Sequence, residues 1–112
     1  LIVATAAVRN APNKYEFLQQ VKKETGFQIK VIDGNKEAYL AAVAAKNLLP
    51  KNNNFITIDI GGGSTDIALV KDCKIINTVS LNIGTITLKE LFFDKNRPLS
   101  EAKEFILKEF NK

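Results

Sequence analysis

Apolar and polar positions along the chain follow two periods, one suited to strands and one to helices. Leu1 to Val8 is apolar and β-competent, and polar residues intervene at Arg9 and Asn10. Asn13 with Glu16 three residues later has the pattern of a capping box, opening a helix whose Phe17, Leu18 and Val21 share one face. Gly26 marks its end, since glycine enters the left-handed region without steric cost. Phe27 to Ile32 alternates and predicts a strand. Asn35 to Leu49 is alanine-rich and precedes Pro50, which predicts a second helix, close-packed through its small residues. Beyond Lys51-Asn52-Asn53-Asn54, read as a linker, the chain changes character. Strands are expected at Phe55 to Ile60, Asp66 to Val70 and Ile75 to Leu81. Two helical segments follow, Thr85 to Phe93 and Ser100 to Phe110, the latter with Ser100 available as a cap. The order is βαβα, then a β-meander, then helices, an α/β layout.

Composition narrows the chemistry. With 112 residues, 46% hydrophobic and 25% charged, the chain has the make-up of an ordinary globular protein. Its net charge of +4 suits an anionic partner without naming one, because the lysines are scattered rather than clustered. Histidine is absent, which removes Ser-His-Asp and Cys-His catalysis and any histidine-based zinc site. The single cysteine, Cys73, rules out an internal disulfide and agrees with a reducing, cytoplasmic compartment. No apolar run approaches a membrane span, and no signal peptide is visible. The start on Leu1-Ile2-Val3 and the lack of methionine lead us to expect a segment of a longer polypeptide.

The chemistry concentrates in Asp59-Ile60-Gly61-Gly62-Gly63-Ser64-Thr65-Asp66. A strand running into three glycines presents backbone N–H groups where no Cβ blocks approach, and such a turn can accept phosphate oxygens. Ser64 and Thr65 add hydroxyl donors. Asp59 and Asp66 flank the turn, where carboxylates could hold a magnesium ion or orient a water. The competing reading of the same residues is a structural hairpin with solvated acids.

This octapeptide resembles the second phosphate-binding hairpin of the actin-like superfamily. Two flanking stretches narrow the resemblance. Upstream lie Ala4-Thr5-Ala6-Ala7-Val8-Arg9, Asn13, Glu16-Phe17-Leu18, Val21, Thr25-Gly26 and Val31-Ile32; downstream lie Ser80-Leu81, Gly84, Leu88, Glu90 and Phe92. Together they resemble the exopolyphosphatase/guanosine pentaphosphate phosphohydrolase (Ppx/GppA) family, from Ala4 to about Phe93. The resemblance implies an actin-like, ribonuclease H-like fold built from two halves. Residues 1–50 would finish the first half, 51–54 would link, and 55–112 would begin the second. It also implies a first phosphate loop outside this sequence, and hence that the segment by itself is inactive.

Carried over residue by residue, the resemblance makes Glu37, in Gly34-Asn35-Lys36-Glu37-Ala38, the general base that activates water. The residues alone allow a plainer role, an acid at a helix N-terminus. Arg9 matches a phosphate-binding arginine; otherwise it is a surface ion-pair partner. Gly61, Gly62 and Gly63, with Ser64 and Thr65, match the phosphate loop, and Asp59 and Asp66 the metal-binding acids. Departures from the family pattern are Asp66 in place of a glutamate, Lys36 in place of an acid, Asp33 where serine is common, and Ala6, which lacks a hydroxyl.

The implied activity is hydrolysis of the terminal phosphoanhydride of inorganic polyphosphate, of guanosine pentaphosphate, or of both, with Mg²⁺ or another divalent cation. No nucleic-acid partner and no membrane span are expected, and the resemblance leaves room for a homodimer of the full-length protein. Two alternatives use the same residues: an ATP-binding module of the chaperone or filament type, favoured by Asp66, and a degenerate nucleotide sensor, permitted by Lys36 and Asp66.

Overall fold

A computed structural model describes residues 1–49 and 54–111, in two compact units, 1–33 and 34–112. The expected linker falls mostly outside the described residues; only its last member, Asn54, lies within them.

In the first unit, β1 (Ile2–Ala4) leads into a single-turn helix, α1 (Ala6–Arg9), rather than continuing as strand to Val8. The change comes at Thr5, whose carbonyl accepts the Arg9 N–H at 2.8 Å. Then comes α2 (Lys14–Thr25). Asn13 sits at its N-cap as expected, but its side chain makes no capping hydrogen bond, so the box is present in position and absent in chemistry. Gly26 closes α2 at φ 75°, with its N–H on the Lys22 carbonyl. Next, β2 (Ile29–Val31) pairs parallel with β1, Ile2 to Ile29 and Ala4 to Val31, and the Ile32 N–H extends the ladder to the Ala4 carbonyl.

In the second unit, α3 (Gly34–Leu48) packs on an antiparallel sheet of β3 (Phe55–Ile60), β4 (Thr65–Lys71) and β5 (Lys74–Leu81). The alanines of α3 explain the close fit. Ala42 is fully buried against Ala68 and Val70, with Phe55 and Ile75 alongside, and Ala38 is buried one turn earlier. Burying a side chain such as Val70 contributes about 1.5–3 kcal/mol, and small partners let the helix come near enough to do it. The β4–β5 loop turns on Asp72 and Cys73, both left-handed, the two-residue geometry that matches strand twist. Asn54 braces it by accepting the Asp72 N–H at 2.9 Å.

After β5, the predicted helix from Thr85 to Phe93 is found as α4 (Thr85–Leu88) followed by a π-helical turn, Lys89–Phe93. The last helix, α5 (Leu99–Phe110), begins one residue before Ser100. Pro98 takes the N-cap position, so Ser100 does not cap it. Phe105 of α5 packs on Phe92 with ring centroids 5.5 Å apart, and the Arg97 guanidinium lies over the Phe92 ring at 4.7 Å. No helix among the described residues is long and apolar enough to cross a membrane.

Candidate phosphate-binding site

The glycine turn joins β3 to β4, in register from Phe55–Val70 down to Ile60–Thr65. Gly61 N–H closes the turn on the Ser64 carbonyl at 2.9 Å. What holds the turn from behind is the start of α4. Thr85 N–H donates to the Gly61 carbonyl at 2.9 Å, and the Ile86 and Thr87 N–H groups converge on the Gly62 carbonyl at 2.9 and 3.1 Å. A helix leaves its first N–H groups without partners inside itself, and here they take the carbonyls of the turn. Among the described residues, no acceptor takes the Gly62 or Gly63 N–H. These amides are therefore available to an anion, on a loop whose Gly61 and Gly62 carbonyls are already engaged.

Gly84 makes this arrangement possible. A Cβ there would overlap the Gly62 carbonyl and come within 2.5 Å of the Gly63 nitrogen, both backbone atoms that cannot turn aside. Neither Gly84 nor the Thr85–Thr87 amides were singled out for function from sequence. The available signal was a lone glycine at a strand-to-helix joint, which marks close backbone approach.

The two hydroxyls of the turn face inward. Thr65, buried, donates its Oγ1 hydrogen to the Ile83 carbonyl at 2.6 Å. Ser64, 2% exposed, donates to Asp66 Oδ2 at 3.1 Å. Asp59 and Asp66 stand directly opposite each other across β3 and β4 and so share one face of the sheet. Asp59 is exposed, while Asp66 is 4% exposed and its Oδ1 has no hydrogen-bond partner. A buried acceptor left open is costly unless something occupies it. Among the described residues no group of three or more potential ligands is gathered for a metal. Two carboxylates nevertheless suit magnesium, which takes one or two from protein and fills its other positions with water and phosphate.

Glu37 lies in the first turn of α3, half-buried, one turn along from Gly34. Its neighbour Lys36 places its Nζ 4.6 Å from the centre of the Tyr39 ring. Arg9 belongs to the first unit, where its Nη1 donates to the Ile32 carbonyl at 2.9 Å and ties α1 to the end of β2.

The second unit is thus an α/β arrangement that carries a glycine hairpin with open amides, a facing pair of carboxylates and a glutamate-bearing helix. The comparisons agree: the sequence pattern of the Ppx/GppA phosphatase family matches residues 1–112, and the chain belongs to that family. It is 36% identical over 103 residues to a bifunctional 3-dehydroquinate synthase/phosphatase of Fusobacterium nucleatum, covering 90% of this chain and 16% of that protein. It is also 36% identical over 92 residues to a guanosine-5'-triphosphate,3'-diphosphate pyrophosphatase of Pseudoalteromonas atlantica, covering 82% and 18%. Among solved structures, an exopolyphosphatase from Cytophaga hutchinsonii superposes with a TM-score of 0.76 at 32% identity, covering 80% of this chain and 29% of that one. The Aquifex aeolicus PPX-GPPA enzyme does so with a TM-score of 0.71 at 35% identity, covering 97% and 38%. The α/β fold expected from the sequence is the one found.

Proposed function

We propose that this chain forms part of a phosphoanhydride hydrolase acting on the terminal phosphate of inorganic polyphosphate, of guanosine pentaphosphate, or of both. The observation that carries the reading is the glycine turn, with the Gly61 and Gly62 carbonyls held by α4 and the Gly62 and Gly63 amides left open. Membership of the Ppx/GppA family and the names of the relatives support it.

In the proposed mechanism, the turn amides bind oxygens of the terminal phosphate and orient it. Ser64 and Thr65 contribute by keeping the turn in shape. Arg9 enters through the family pattern, as a guanidinium that forks phosphate oxygens. Glu37 takes a proton from water as the water oxygen bonds to the terminal phosphorus. The bridging P–O bond breaks, and its electrons leave on the shortened chain as orthophosphate is released. Asp59 and Asp66 would hold Mg²⁺, which when bound offsets negative charge on the phosphate oxygens. Such transfers depend mainly on positioning and electrostatics, which these groups supply.

The test is orthophosphate release by the full-length protein with Mg²⁺ and long-chain polyphosphate, guanosine pentaphosphate or ATP. Release from either of the first two should fall about 10²- to 10⁴-fold in Glu37→Gln, the usual worth of a general base. Release from ATP alone, or activity indifferent to Glu37, would instead favour an ATP-binding module and overturn the proposal.

A further inference from the structure

Gly34 begins α3 at a place where no side chain fits. A Cβ on it would overlap both Oγ and Cβ of Ser80 and would lie 3.4 Å from Asp66 Oδ1. Ser80 is opposite Asp66 in the β4–β5 ladder, so these two residues form a platform on the sheet face that carries Asp66. Gly34 is itself buried. The overlap with Ser80 is with a Cβ fixed to the strand backbone as well as with a hydroxyl, and rotating the serine side chain relieves only the second.

We propose that Gly34 is a positioning residue, whose bare Cα seats the start of α3 on Ser80 beside Asp66 and so sets where Glu37 stands over the sheet. The inference rests on the reading of Glu37 as general base. Glu37 follows Gly34 by three residues, about one turn, so a shift at the start of the helix is transmitted to its carboxylate with little damping. The glycine turn is held separately, by α4. A displaced α3 should therefore impair proton removal while leaving the grip on phosphate intact.

The experiment uses the full-length protein in three forms: Gly34→Ala, Ser80→Gly and the double variant. Gly34→Ala should lose kcat on the order of 10²-fold, the usual effect of a misplacement near 1 Å, with KM changed less than about threefold. The double variant, in which the strand Cβ is gone, should recover at least about tenfold of that loss. A coupled loss and recovery in melting temperature reads the contact itself and does not depend on activity. If wild type shows no Glu37-dependent phosphate release while the melting temperatures are coupled, the functional reading fails and the seat stands. Should Gly34→Ala not fold, a double variant that folds and turns over still supports the proposal. Full kcat in Gly34→Ala, or a double variant that folds without recovering kcat or does not fold at all, overturns it.

Discussion

Thr65 shows how a side chain's type and its direction are decided separately. A hydroxyl at this position of a phosphate turn suggests a donor to substrate, yet the hydroxyl is buried and donates to the Ile83 carbonyl at 2.6 Å. Thr65→Val keeps the shape and removes the donor, leaving that carbonyl short of a partner. The expected cost is about 1–3 kcal/mol of stability, read by thermal melting, with any rise in KM accompanied by that loss. A rise in KM at unchanged stability would show that the hydroxyl faces substrate. Ser64 belongs to the same inward set, through Asp66. On the proposed reading the donors left to phosphate are backbone amides, which every residue type except proline carries and no sequence pattern can orient.

At the scale of elements, the informative contact is between α4 and the glycine turn. Three N–H groups at the start of one element meet two carbonyls of another more than twenty residues earlier, and Gly84 is the residue that lets them meet. Gly84→Ala should push the turn outward. Overpacking of this kind costs about 1–3 kcal/mol, and the same range in phosphate affinity is about a 5- to 150-fold rise in KM. Steady-state kinetics across polyphosphate lengths would check it; an unchanged KM would mean that α4 plays no part in shaping the turn. Most elements were legible in the chain because each follows local rules. Alternation marked β2, the glycine run and the turn from Lys71 to Lys74 separated the three strands of the antiparallel sheet, alanines and Pro50 marked α3, and Gly26 marked the end of α2. The misreadings lay where local signals compete. Thr5 to Val8 is β-competent by composition but enters a helical turn, and Asn13 and Ser100 have capping chemistry that neither uses.

At the scale of the molecule, the second unit has one covered sheet face and one open one. Ala68 and Val70 lie under α3, while Ile56, Ile58, Ile60, Leu69 and Val79 on the other face are each more than 40% exposed. A contiguous apolar surface of this sort drives association in water. We expect the 112-residue segment, expressed by itself, to bind a hydrophobic dye and self-associate, and Ile58→Lys to reduce both. We also expect it to release no phosphate from polyphosphate, as it spans 29–38% of its solved relatives and carries one glycine turn. A soluble monomer with activity would refute both expectations.

Periodicity and glycine placement were enough to determine the α/β class and most of the order of elements, and the run from Asp59 to Asp66 together with the stretches flanking it was enough to point to the family, since these depend on local preference and on residue identity. Three things were decided only in the folded chain. One is that the Gly61 and Gly62 carbonyls are engaged and the Gly62 and Gly63 amides open. Another is that Asp66 is buried with an unpartnered oxygen while its partner Asp59 is exposed. The third is that Gly34 meets Ser80, forty-six residues on. Each depends on which distant backbone comes within a few ångströms, and that distance is set by packing of small residues between elements.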